Sequence, residues 1–243
     1  MSWAGSDHWE IYLGAKAGGV ARGGRSLAWR NYDSPESGLT ALLEEISGDR
    51  GRWTKQKVRL WLSASLARPF LFEPPAGMKN SAEVQTLARA RAGEATGLPA
   101  RCEVWLSARR PGQGQLGVAV ETETRDALLV AAHRAKVRLL TVRPWWAQAL
   151  DEALLRQPDL ALIAVADTEA VTLLAAKDDV WVAADSYDPK PPALQLESLV
   201  TRRLFAAGVA ELQVCRVGLD AAELYDISSA WPRAVALRLF ESA

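Results

Sequence analysis

Groups able to do chemistry are sparse in this chain. Histidine occurs twice, at His8 and His133, and cysteine twice, at Cys102 and Cys215. A Ser-His-Asp or Cys-His hydrolase would have to use one of those two imidazoles, and neither stands beside a nucleophile motif. No Cys, His or carboxylate cluster has metal-ligand spacing, so no zinc site is expected. Glu44 and Glu45, and Asp178 and Asp179, are adjacent carboxylates. Neighbours on a helix diverge by roughly 100° and neighbours on a strand face opposite ways, so neither pair makes an acid–base dyad unaided. Gly112, Gly114 and Gly117 match the letters of a dinucleotide fingerprint. That fingerprint works between a strand and a helix N-terminus, whereas residues 118–121 continue as a strand, so a hairpin turn fits better. No catalytic, cofactor-binding or metal-ligating residue is expected.

The elements that would position any site follow from periodicity. Residues 9–13 alternate bulky and polar side chains and meet Gly14. Gly18 and Gly19, then Gly23 and Gly24, bracket a second strand, and residues 26–30 make a third: an antiparallel meander. Leu39, Leu42, Leu43 and Ile46 recur at helical spacing, with Ser37 placed to cap the start and Gly48 the end. Residues 58–62 are strand-like. Pro69, Pro74 and Pro75 oppose helix over residues 68–78, which read as an extended loop. Asn80 and Glu83 have capping-box spacing. The helix that follows carries Val84, Leu87, Ala88, Ala92 and Ala95 on one face and ends at Gly97 and Pro99.

Strands at 101–107 and 116–121, a helix at 122–135, a strand at 137–142 and a helix entered through Pro144 complete the first half. The second half opens with three strands again, at 160–166, 170–176 and 180–184. A helix bearing Leu196, Leu199, Val200, Arg203 and Ala207 and a strand at 211–217 follow. Residues 234–240 read as a strand, with helix as the alternative. Three strands, a helix and a strand thus occur twice.

Composition bounds the function. The chain has 243 residues, 49% hydrophobic and 24% charged, with zero formal net charge. That suffices for a packed core and argues against a nucleic-acid footprint. Arg50, Arg52, Lys55, Lys57 and Arg59 form the nearest thing to a basic run and read as a solvated loop. Both cysteines sit in apolar strand-like runs, so no disulfide framework is implied, which fits the cytoplasm. Residues 1–10 lack the basic-then-apolar pattern of a secretory leader, and no apolar run approaches the roughly 20 residues of a membrane helix. Of the ten tryptophans, Trp29, Trp61, Trp105 and Trp181 fall in strands and are expected on core or sheet faces; Trp145 and Trp146 are expected to pack at a domain junction.

A family resemblance rests on Arg68, on Glu73, Pro74, Pro75, Ala76, Gly77 and Met78, and on Ser81, Glu83 and Val84. It continues through Ala90, Ala92, Glu94, Ala95, Gly97, Leu98 and Pro99, then through residues 116–120, 125–135 and 137–144. In order and pattern this resembles the type IV pilus assembly protein PilM and the cytoplasmic parts of type II secretion L proteins, over roughly residues 11–217. The resemblance implies an α/β actin-like (ribonuclease H-like) fold of duplicated βββαβ units. The first lobe would span residues 1–157, with a small α+β subdomain inserted at about 65–121, and the second 158–243. It also implies a cytoplasmic scaffold, peripheral to the inner membrane, that docks the N-terminal cytoplasmic tail of a single-pass membrane protein between the inserted subdomain and the first core subdomain.

The nucleotide machinery of that family departs here. Its ATP-binding members carry an acidic residue and a glycine at the first phosphate loop, where this chain reads Leu13, Gly14, Ala15 and Lys16. The second loop should read Asp-x-Gly and instead reads Asp167, Thr168 and Glu169. A phosphate cradle needs glycine for close backbone approach, and an acid would position hydrated magnesium. The expectation is therefore a non-enzymatic adaptor, a pseudo-ATPase without cofactor. Phe70, Phe72 and Leu87 are the candidate partner-binding residues, with Phe70 and Phe72 either walling a peptide groove or packing the inserted subdomain. The rival readings are a Mg-ATP-dependent member in which Lys16 and Thr168 approach phosphate, and a self-associating structural scaffold.

Overall fold

The computed structural model describes residues 8–23, 25–47, 56–75, 77–78, 80–99, 101–107, 114–156, 162–177, 180–192, 195, 198–199, 202, 216–217, 233–237 and 239–240. β1 (Trp9–Leu13), β2 (Ala17–Arg22) and β3 (Arg25–Asn31) form the first antiparallel meander. α1 (Pro35–Ser47) returns the chain to β4 (Lys57–Leu62), which runs parallel to β1. Strand alternation sorts the side chains of this sheet. Trp9, Ile11 and Leu13 join Val58, Leu60 and Leu62 in a core with Leu39, Leu42, Leu43 and Ile46 of α1. Tyr12 and Trp61 face the other way. Ser34, not Ser37, caps α1: its hydroxyl oxygen accepts from the Ser37 amide at 3.2 Å. Pro35 takes the first helical position, where its missing N–H costs nothing.

β5 (Ala67–Phe72), α2 (Ser81–Thr96), β6 (Cys102–Leu106), β7 (Gln115–Glu121) and α3 (Thr122–Arg134) come next. They precede β8 (Arg138–Pro144), which pairs parallel with β4 and completes the sheet order β3-β2-β1-β4-β8. The smaller sheet is antiparallel in the order β5-β7-β6. Its first strand corrects the expected loop at 68–78. Pro69 is tolerated because β5 is an edge strand of that sheet, where a residue without an N–H can sit. α2 begins as expected, with the Asn80 side chain accepting from the Ala82 amide at 2.9 Å, and ends at Gly97.

α4 (Trp145–Arg156) leads to the second meander, β9 (Leu162–Ala166), β10 (Val171–Lys177) and β11 (Val180–Tyr187). Beyond it lie β12 (Arg216–Val217), β13 (Arg233–Leu237) and β14 (Leu239–Phe240), with β12 and β14 paired. β13 covers the outer edge of β9 and runs antiparallel to it, whereas β4 runs parallel to β1. The described residues of the last piece, 233–237 and 239–240, are thus strand. Most of the expected helix at 196–207, most of the strand at 211–217, and Cys215 lie outside the described residues.

Candidate functional site

Two crevices could hold something. The first lies where the β1–β2 turn meets the β9–β10 turn, the two places at which an actin-like layout would cradle phosphate. Gly14 N donates to Ala17 O at 2.8 Å and closes the first turn. Tyr32 braces it, its hydroxyl donating to Gly14 O at 3.1 Å and accepting from Gly14 N at 3.2 Å. The amides of Ala15, Lys16 and Ala17 then converge on one point. That point is the Glu169 carboxylate, reached from across the crevice at 2.5, 2.6 and 3.0 Å. The Ser65 hydroxyl adds a fourth donor at 2.7 Å. Gly14 is required for this approach: a Cβ there would lie 2.6 Å from the Glu169 carboxyl carbon.

Asp167 anchors the opposing turn. Its Oδ1 accepts from the amides of Glu169 and Ala170 at 2.9 and 2.7 Å, and its Oδ2 from the Ser63 hydroxyl and Ala64 amide at 2.8 and 2.9 Å. Burial pushes the Asp167 carboxyl's pKa up, and the four donors bring it only part of the way back. The phenols of Tyr12 and Tyr32 are held protonated, first by burial and then by these carboxylates, Asp167 for Tyr12 and Glu169 for Tyr32. Lys190 donates from its side chain to Asp167 O at 3.2 Å.

Below the turns the crevice is solid. Tyr12, Trp61 and Trp145 pack with Val165, Ala170, Leu174 and Ala184 in one buried cluster. Tyr12 stacks on Trp29 at 5.8 Å, and Trp145 meets Trp61 edge-on at 6.1 Å. Trp146 donates its indole N–H to Ala67 O at 2.8 Å, so both junction tryptophans serve packing. The sequence departures at the two loops pointed to this spot. That Glu169, at the place of the expected glycine, would supply the anion for the opposite loop was not legible, because it depends on two turns 154 positions apart.

The second crevice is open. Among the described residues β6 and β8 are edge strands of their sheets, and between them runs a groove of about 370 Å³ floored by Leu116, Val118, Trp146 and Leu150. Trp105 and Val142 stand on its walls, 48% and 41% exposed. Arg143 and Asp151, paired at 2.8 Å, also line it.

Phe70 and Phe72 are not part of this groove. They are 1% and 2% exposed and pack with Val84, Ala88, Ala92 and Ala119 in the core beneath α2. The expectation of a peptide-facing wall is corrected to its alternative, subdomain packing. Alternation along β5 sends both rings to the α2 face. Gly117 makes room, since a Cβ there would meet the Phe70 ring at 2.5 Å. Leu87 is half-buried against the same core. Trp105 and Val118, paired across β6 and β7, are the groove residues that sequence reasoning missed. The signal was the alternation of β6, with Cys102 and Val104 inward and Trp105 outward.

The remaining candidates are dispersed. His133 is exposed on α3, and His8 lies 3.4 Å from Glu10. Cys102 is a buried free thiol, raised in pKa mainly by burial. Among the described residues no group of His, Cys, Asp and Glu could hold a metal ion, and no helix is long and apolar enough to cross a membrane.

Comparison with solved structures decides what this layout is. The cytoplasmic domain of EpsL, an inner membrane component of the type II secretion system of Vibrio cholerae, is 15% identical with a TM-score of 0.52, over 80% of this chain and 74% of that one. A Bacteroides thetaiotaomicron protein with an actin-like ATPase fold and unknown function is 9% identical with a TM-score of 0.50, over 84% and 78%. The chain has the actin-like fold. A PilM–PilN type IV pilus biogenesis complex is a further neighbour of this actin-like chain, 16% identical with a TM-score of 0.51, over 86% and 75%. No protein-family model and no curated protein matches the sequence. At these identities the likeness is one of fold, and it agrees with the family pattern read along residues 11–217.

Proposed function

We propose that this chain is a non-enzymatic adaptor in the inner-membrane assembly platform of a type II secretion or type IV pilus system. It works in the cytoplasm, peripheral to the membrane, and binds an extended cytoplasmic segment of a single-pass membrane protein. The observation that carries this reading is the contrast between the two crevices. The one that would take nucleotide is occupied by Glu169 and an aromatic cluster, while the apolar groove between β6 and β8 is open. Free strand edges offer backbone N–H and C=O groups to an incoming strand, and an exposed tryptophan offers an anchor. Two of the solved neighbours come from such machines, and one is a complex of PilM with PilN.

Calorimetry with a synthetic peptide of the N-terminal cytoplasmic tail of a single-pass protein from such an assembly platform tests the reading. The wild type should bind, and Val142→Asp should weaken binding about tenfold or more while the fold stays intact, because it buries a charge in the groove. No binding, or binding indifferent to Val142, would refute it. Self-association is the second reading, suggested by the exposed neighbours Leu129 and Val130 on α3. A concentration-dependent mass in light scattering would favour it.

A further inference from the structure

Three consecutive amides aimed at one point form an anion nest, the same backbone device that holds phosphate in nucleotide sites. Here the nest of Ala15, Lys16 and Ala17 holds a carboxylate from a residue 154 positions away, with the Ser65 hydroxyl as a further donor. In nucleotide-dependent architectures such a nest is satisfied only while ligand is bound. In this chain it is satisfied from within.

We propose that Glu169 is a built-in substitute for a bound polyphosphate, clamping the β1–β2 turn to the β9–β10 turn without any ligand. The site under the clamp is a tetrahedral-oxyanion site, which takes inorganic phosphate or pyrophosphate once the carboxylate is removed. The geometry supports both parts. The donors are backbone amides, fixed by the Gly14 to Ala17 hydrogen bond and the Tyr32 brace, so they stay aimed when the tenant leaves. Gly14 presents no Cβ to the space that the carboxylate fills. Lys16, whose amide is part of the nest, is exposed. The opposing turn keeps its shape independently, because Asp167 holds the amides of Glu169 and Ala170. The clamp uses the same sealed crevice that the adaptor reading sets against the open groove, and the two fail differently: a failed clamp shows in the melting of the Glu169 variants, a failed adaptor in the tail calorimetry.

The test is thermal melting of the full chain, as wild type, Glu169→Ala and Glu169→Gln, with and without pyrophosphate at matched ionic strength. Glu169→Ala should melt about 5–10 °C below wild type, the expected scale for losing a charged, amide-held carboxylate in a chain of this size. Pyrophosphate should recover about 2 °C or more of that loss and leave the wild type unmoved. Glu169→Gln keeps the length and one acceptor oxygen, should fall between the two, and carries the test if the alanine variant fails to fold. Melting of Glu169→Gln at the wild-type temperature would overturn the clamp. An equal pyrophosphate shift in wild type and variant, or none in a folded Glu169→Ala, would overturn the oxyanion site.

Discussion

The two crevices of this molecule are built from similar parts and end up opposite in character. The inter-turn crevice and the β6–β8 groove both lie beside strand ends and both are lined by tryptophans. In the first, each carboxylate oxygen of Asp167 and Glu169 meets a donor, both oxygens of Glu169 and Oδ2 of Asp167 from across the crevice and Oδ1 of Asp167 from its own turn. In the second, apolar walls carry the exposed side chains of Trp105 and Val142. A polar surface that satisfies itself internally gains nothing from a ligand. An apolar surface beside free strand edges gains from any strand that covers it. The two crevices therefore differ in what a ligand would gain there: little in the sealed one, the burial of apolar surface in the open one.

The sealed side should break most severely at Asp167. Asp167→Ala leaves the Ser63 hydroxyl and the amides of Ala64 and Ala170 without their acceptor in a buried place. The expected loss is about 3–5 kcal/mol, read as a fall in Tm on the order of 10 °C. An unchanged melting curve would mean the crevice is held by its aromatic cluster alone.

A second pair of variants sharpens the open side. Phe70→Ala should cost about 3–4 kcal/mol of stability, the usual price of a large buried ring. Trp105→Ala should cost little stability, because the ring is half exposed, yet lower tail affinity by about 2 kcal/mol if it is an anchor. Denaturant unfolding and calorimetry on both variants separate core from groove. Similar stability losses in the two would erase the distinction.

The smallest effect concerns Glu10, the other buried acid among the described residues. Asp167 has four donors, whereas Glu10 Oε1 lacks a hydrogen-bond donor and only faces His8 Nε2 at 3.4 Å. Burial raises the Glu10 pKa from 4.5 to about 7, with Arg59 pulling it part of the way back. The folded state therefore holds this proton more tightly than the unfolded chain does. The stabilising contribution is complete below about pH 4.5 and is lost as pH rises through about 7. Glu10→Gln should accordingly stabilise the protein by about 1–3 kcal/mol at pH 8 and by nothing at pH 4. A pH-independent effect would place the charge elsewhere.

Much of the fold was legible because it is written in local pattern. The meander of β1, β2 and β3, the Asn80 cap and the Gly97 stop each depend on residues a few positions apart. β5 was missed because proline is a strong local argument against regular structure, and only its edge position relieves that argument. With β5 unseen, the alternation that buries Phe70 and Phe72 beneath α2 was unseen too, so a groove wall and subdomain packing stayed equal alternatives for these two rings.

By itself, then, the sequence determined the α/β layout, the absence of the expected phosphate-loop residues and the choice of an actin-like resemblance, since all three rest on spacing and residue type along the chain. Only the tertiary structure decided that Glu169 sits in the amides of Ala15, Lys16 and Ala17, that β13 runs antiparallel beside β9, and that Trp105 rather than Phe70 faces the open groove. The physical reason is the same in each case. A carboxylate's tenant site, a strand's neighbour and a side chain's face are set by which distant segment arrives opposite, and no local preference encodes that meeting.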